Sequence, residues 1–294
     1  MKDDFEIVGM RGTREMRPAA VRAARVKPPI LSVVVFALIL TGCLACELVM
    51  TKDPTYMDLA NYTHPPDSEF LFGTDGMGRD IFSMVWYGGR VSLFIGVVST
   101  VVSTAIAIVF GAVSGSAPGR VDALMMRAVE ILLSVPSLLV IVLVQAALGE
   151  ANVLSLSFVI GITSWTSVAK VVRSEVRQMR SREFLVAAKC MGGGFFYLLR
   201  RHMTPNFVSS IMFMVVMNVR GAIVAESTLS FMGTGLPLET VSWGSMLSLA
   251  ESALMTGAWW IVVIPGAFLT VTLLCITSFG NFLRKRLNRG QSNL

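Results

Sequence analysis

Charge is what this chain has least of. Asp, Glu, Lys and Arg make up only 15% of its 294 residues, and there are two histidines, His64 and His202, and four cysteines. Set against 54% hydrophobic residues and a mean hydropathy of +0.67, so thin a polar complement excludes a soluble domain of this size. Cysteine is equally sparse: Cys43, Cys46, Cys190 and Cys275 are scattered and specify no disulfide framework. Cys43 and Cys46 form a Cys-x-x-Cys pair, but inside an apolar run, where a thiol is a poor nucleophile. No lysine follows a glycine anywhere, which excludes a Walker-type phosphate loop with its lysine. Nowhere does the sequence gather a nucleophile with its base, or a set of metal ligands. Nor do the halves repeat one another, which argues against a secondary transporter built from inverted repeats.

What the chain does have is long hydrophobic runs. Charge-free windows able to cross about 30 Å of hydrocarbon at 1.5 Å per residue cover 30–46, 91–119, 131–149, 151–169 and 252–283. A sixth, 206–232, is interrupted by Arg220 and Glu226. The expectation is an all-α integral membrane protein with six transmembrane helices. Basic residues fix its orientation. With a cytoplasmic N-terminus, Lys2, Arg11, Arg14, Arg17, Arg22, Arg25 and Lys27 lie inside, as do Arg120, Arg127, the cluster between Lys170 and Arg201, and Arg284, Lys285, Arg286 and Arg289. Only Lys52, Arg79 and Arg90 fall outside, as the positive-inside rule requires. The net charge of +6 is therefore read as topology rather than as a nucleic-acid surface. His64 and His202 then face opposite sides and cannot share a site. Leu40-Thr41-Gly42-Cys43 has the form of a lipoprotein cleavage box, but five further spans already anchor the chain, and an ordinary first span is the expected reading.

Between the fourth and fifth spans lies 181–206, SREFLVAAKCMGGGFFYLLRRHMTPN. Phe184, Ala188, Met191, Phe195 and Leu199 recur at helical spacing, with Arg182, Glu183, Lys189, Arg200 and Arg201 as the wet remainder. A short amphipathic helix is expected, capped by Ser181, with Glu183 at the positive end of its dipole and a break at 192–194 after about three turns. Amphipathicity alone would equally suit a helix lying on lipid. The wording Glu-x-x-x-Ala-Ala-x-x-x-Gly, however, resembles the cytoplasmic coupling loop of binding-protein-dependent ABC importer permeases, with Glu183, Ala187, Ala188 and Gly192 at the matching positions.

Three other blocks resemble the C-type subunit of the dipeptide, oligopeptide and nickel importers within that family. The first, Gly73, Thr74, Asp75, Gly78, Arg79 and Asp80, matches a Gly-Thr-Asp-x-x-Gly-Arg-Asp signature before the second span. Read on their own, these residues lack the preceding strand of a phosphate loop and the further oxygen ligands of a calcium loop. The second is 119–148, with Arg120, Asp122, Arg127, Glu130 and Pro136, where Pro136 should kink a helix for passage or for packing. The third is 225–247, where Trp243, with Trp259 and Trp260 beyond it, is expected at the outer interface. Two departures are Thr204 before Pro205, where relatives carry Leu-Pro, and a last span ending in Asn281 and Arg284-Lys285-Arg286 rather than an acidic segment.

The resemblance implies the ABC importer permease fold: a basic cytoplasmic tail at 1–29, a first helix and external segment at 30–90, a permease core at 91–289 with the coupling loop, and a C-terminal tail at 290–294. It implies a permease subunit for di- or oligopeptides, or alternatively nickel or another small solute. The chain would lack an ATPase site of its own, bind no cofactor or metal, and leave ATP and Mg to separate subunits. Implied partners are a second, B-type permease, two cytoplasmic ATP-binding subunits, an extracytoplasmic solute-binding protein and membrane lipid, with no nucleic acid. The implied location is a bacterial or archaeal cytoplasmic (inner) membrane, multi-pass, both termini inside. Arg220 and Glu226 are candidates for the route or for a subunit interface. Six residues apart, they stand on different helix faces and cannot pair directly.

Overall fold

The computed structural model describes residues 28–237 and 239–291, and its regular structure is helical apart from one isolated bridge between Thr74 and Asp80. Nearly all of the expected basic tail at 1–29 lies outside the described residues, as does the chain beyond Gln291. Helix α1 (Ile30–Leu44) breaks at Ala45 and is followed by the short α2 (Cys46–Val49). The external segment contains a single 3-10 turn, Leu59–Asn61, and leads into α3 (Ile81–Ser116). Two broken helices follow: α4 (Gly119–Ser134) with α5 (Ser137–Leu148), and α6 (Val153–Thr163) with α7 (Thr166–Met179). The segment after α7 forms α8 (Glu183–Cys190) and α9 (Phe195–Leu198), then a wide π turn, Leu199–Met203, that runs into α10 (Thr204–Phe231). The chain ends in α11 (Trp243–Leu247), α12 (Ala250–Thr256) and α13 (Trp260–Gln291).

Three helical stretches are long and apolar enough to cross a membrane: Ile81–Ser116, Phe195–Phe231 and Trp260–Leu287. Counting each bent pair, α4 with α5 and α6 with α7, as one crossing brings the number to five. At 15 residues, α1 reaches about 22 Å, short of a full hydrocarbon core by itself.

The breaks have local causes. Pro136 has no N–H to give, and its ring forces Val135 into an extended conformation (φ −96°, ψ 133°), so the kink expected there is a full 91° bend. Between α6 and α7 the bend is 45°; the Thr163 hydroxyl bonds back to the carbonyls of Val159 and Ile160, both at 3.0 Å, and draws them from the helical ladder. The expected window 252–283 is not one helix. Gly257, at φ +71°, ends α12, and α13 starts afresh at Trp260. Pro205 stands in the first turn of α10, two residues beyond the π turn, where the N–H it lacks is least missed.

Packing centres on the crossing of α3 and α7. Ala107, Gly111 and Gly115 form a small-residue stripe at four-residue spacing on α3. A Cβ added to Gly111 would stand 2.6 Å from the Ala169 carbonyl oxygen, and one added to Gly115 would stand 2.8 Å from that of Arg173. The two backbones are therefore in contact, the arrangement that lets van der Waals packing hold helices together where no hydrophobic force separates them from lipid. Val168, Val172 and Val176 of α7 are fully buried against this stripe, and the same apolar cluster takes in Leu185 and Ala188 of α8, Leu198, and Phe207 of α10. Replacing Gly111 with Val should force α3 and α7 apart at a cost of about 1–3 kcal/mol or more. Thermal denaturation of the purified chain in detergent should show a lowered midpoint, and an unchanged midpoint would refute the close crossing.

Candidate functional site

At the end of the bundle near α8 the chain turns four times within a short distance. Arg182, extended at φ −72° and ψ 137°, occupies the N-cap of α8 and makes no side-chain cap bond. Ser181 is thus not the cap expected of it. Glu183 does stand in the first turn, and Lys189 in the last, each of the sign that the helix dipole favours. The helix stops after two turns rather than three, because Gly192 adopts φ +87° while Met191 N–H bonds to Ala187 O and Gly193 N–H to Ala188 O, both at 3.0 Å.

So short a helix buries a different stripe from the one its spacing suggested. Leu185 and Ala188 point inward, whereas Phe184 and Met191 are exposed, 44% and 81% respectively. Glu183, Ala187 and Gly192 are exposed as well. Together with Val186, Phe196 and Tyr197 they leave an apolar surface open to solvent at the tip, with Phe184 and Tyr197 flanking the His202 ring at 6.3 and 5.6 Å between centroids. Surfaces of this kind mark contacts with other proteins or with membranes.

A cluster that sequence spacing did not single out holds α8 in place. Asp122, in the first turn of α4, is 4% exposed. Its Oδ1 accepts from the Ser114 hydroxyl at 2.6 Å and from Arg173 Nε; its Oδ2 accepts from Arg173 Nη2 at 2.6 Å and Arg177 Nη1 at 2.8 Å. A two-pronged guanidinium on one carboxylate is the strong, directional form of the ion pair. It ties α3, α4 and α7 together directly before the chain enters α8. Arg173 and Arg177 stand one turn apart on α7, and their shared acid lies some fifty residues earlier.

The external Gly-Thr-Asp-x-x-Gly-Arg-Asp segment is a self-contained fold. Gly73 and Gly78 have φ of +76° and +74°, and a Cβ on Gly78 would collide with the Asp58 carbonyl. The Thr74 hydroxyl donates to Asn61 O at 2.6 Å and accepts from His64 N–H at 2.7 Å. Asp75 accepts from the Met77 and Arg79 amides and from Arg79 Nε, the last at 2.7 Å, with both side chains buried. Asp80 caps α3, accepting from Ser83 N–H at 3.0 Å and from the Ser83 and Thr51 hydroxyls. Both aspartates thus serve the loop and the helix start. Trp260 joins this cap to α13 by donating Nε1–H to Thr74 O at 3.1 Å.

Within α10, the two charged residues have opposite fates. Glu226 is wholly buried, and four serine hydroxyls donate to it: Ser92 of α3 at 3.1 Å, Ser227 at 3.3 Å, Ser230 at 3.0 Å and Ser242, the cap of α11, at 2.7 Å. The neighbouring Gly244 leaves room for this carboxylate, since a Cβ there would come within 3.0 Å of its Oε1. Glu226 is thus fully enclosed in this conformation. It pins α3, α10 and α11 to one another. Trp243 belongs to the same knot, fully buried with Nε1–H donating to Val85 O at 2.9 Å, and so is a core residue rather than the interfacial anchor expected. Arg220 is exposed, on a face of α10 that Gly221 and Val224 share. Placing a guanidinium against lipid at mid-depth would cost roughly 2.5–3.5 kcal/mol on insertion scales.

The serine cage makes a specific expectation. Glu226→Ala leaves hydroxyls unpaired at about 1–3 kcal/mol each and should lower the melting midpoint of the purified protein sharply. Glu226→Gln, which keeps the shape but turns one of the two acceptor oxygens into a donor, should melt between Glu226→Ala and wild type; strong loss of transport with a normal midpoint would assign Glu226 to the route.

Comparison with known proteins places these features. The family model described as binding-protein-dependent transport system inner membrane component matches residues 107–292. The chain is 34% identical to the dipeptide transport system permease protein DppC of Bacillus subtilis over 76% of its own length and 70% of that protein's. It is 32% identical to the oligopeptide transport system permease protein OppC of the same organism, covering 97% and 93% of the two chains, and 30% identical to OppC of Haemophilus influenzae over 97% and 92%. With an all-helical membrane architecture and matches of this extent, the chain belongs to the inner-membrane permease family of binding-protein-dependent transport systems.

Proposed function

We propose that this chain is the C-type permease subunit of an ATP-driven peptide importer, forming half of a route whose other half is a second permease. The observation that carries the reading is the tip formed by α8 and α9. It exposes Phe184, Val186, Met191, Phe196 and Tyr197 around Glu183 and Ala187, while Leu185 and Ala188 anchor it in the α3–α7–α10 cluster. An element so exposed on one side and so firmly packed on the other suits a contact that must transmit force. The names of the matched relatives supply the solute class, dipeptides and oligopeptides. ATP and Mg would be bound by separate ATPase subunits docked on this tip, with an external binding protein delivering peptide.

In this reading α1, α3, the two bent pairs, α10 and α13 make six crossings, with α1 reaching across with the help of α2. Both termini lie inside, consistent with the distribution of Lys and Arg. Closure of the ATPase subunits would pull on α8. Because α7 and α10 pack against one another beside the tip and Asp122 fastens α7 to α4, the pull would reach three crossing segments together. Such a contact passes on work only if its energy differs between the inward-open and outward-open states.

Glu183→Ala should abolish ATP-dependent uptake of a labelled dipeptide while the protein remains in the membrane at its normal level. Gly192→Val, which forces a β-branched side chain into a left-handed backbone, should leave ATP hydrolysis running but reduce peptide uptake per ATP at least tenfold. Normal uptake by both variants would remove the coupling role from this segment.

A further inference from the structure

The exposed part of α10 around Arg220 carries a cation and no acid. Arg220 is exposed there beside Gly221, where an added Cβ would meet nothing within 4 Å, leaving a shallow open bay around the guanidinium. Two turns towards the tip end, on nearly the same face, stands Phe213, and over its ring lies the guanidinium of Arg284 from α13, 5.0 Å from the centroid. Seven residues at 1.5 Å each put the levels of Arg220 and Phe213 about 10 Å apart along the helix. Between them, α10 and α13 contain a single acidic residue, Glu226, and the serine cage holds it away on another face. No ion pair joins Arg220 or Arg284 to a carboxylate among the described residues.

We propose that Arg220 is a specificity-determining residue of the route, its guanidinium taking the carboxylate of a peptide in transit, with Arg284 the next station towards the cytoplasm. The proposal rests on the permease reading above and names what this half of the route recognises. A guanidinium presents paired donors that match a carboxylate in two-point geometry. Two such groups at successive depths on one face suit an anion that moves from one to the next. A fixed salt bridge to a partner subunit would instead need two acids on that subunit at matching heights. The same pair of positive charges opposes passage of a bare divalent cation, which sets this chain apart from a carrier of free metal ions.

The test uses the complete importer, with its partner permease, ATPase subunits and binding protein, in liposomes. Uptake of labelled trialanine and of its C-terminal amide is measured at concentrations that saturate the binding protein. Arg220→Gln should lower uptake of the free acid about tenfold and change uptake of the amide less than twofold, with ATP hydrolysis intact; Arg220→Lys should recover part of the loss. An equal loss for both peptides would overturn the proposal, as would disappearance of the second permease from the purified complex, because Arg220 would then be a packing or subunit contact. Failure of the wild-type importer to carry either peptide would defeat the peptide reading itself, and it would show before any variant is compared.

Discussion

Everything at the tip end of this protein depends on two backbones touching. In hydrocarbon the hydrophobic effect does not drive helices together, since lipid tails are as apolar as leucine, so close approach must supply the attraction. Ala107, Gly111 and Gly115 permit that approach of α3 to α7, and the buried valines of α7 fill the crossing. Once α7 is fixed, the position of Asp122 beneath Arg173 and Arg177 follows, and so does the direction in which the chain leaves for α8. The tip is thereby seated on a rigid foundation, because the backbone contact beneath it leaves no soft layer to absorb a displacement.

Polar side chains inside the membrane fall into two groups by what surrounds them. Glu226, Ser92, Ser230 and Ser242 satisfy one another, and the knot they form joins helices far apart in the chain. Removing any member leaves donors or acceptors with no water to turn to, which makes the knot both rigid and specific in its geometry. Asp75 with Arg79 plays the comparable role in the external cap, where a buried ion pair holds a loop that has little apolar material of its own. Charged residues of this kind read as functional in a sequence, and in the fold each of them holds neighbouring segments together.

How much was legible follows from which forces average over many residues and which act at one. Hydropathy windows located the crossing segments, because insertion sums over about twenty side chains, and the break at Pro136 could be read from one residue whose chemistry allows little else. The 45° bend after Thr163 could not, since a threonine bonds back to its helix or does not according to its neighbours. Nor could the buried stripe of α8. Helical spacing offered Phe184, Ala188 and Met191 as one face, but Gly192 halts the helix after two turns, and the shape of the α3–α7 crossing then selects Leu185 with Ala188. Motif wording located the tip and the external cap, while the partners of Asp122 and Glu226 depend on contacts between residues up to 134 positions apart, which spacing along the chain cannot reveal.

The asymmetry of α10 shows how one helix can hold a buried anchor and an exposed charge at once. Six residues separate Arg220 from Glu226, which turns the second through about a third of a revolution from the first and carries it about 9 Å further along. That rotation takes the acid into the knot with α3 and α11 and leaves the base on the open face. Had the spacing been four or seven, the two would share a face and neutralise each other, and the helix would lose both its internal anchor and its free positive charge. With the acid held in its cage, Arg220 is the one charged group of α10 left exposed.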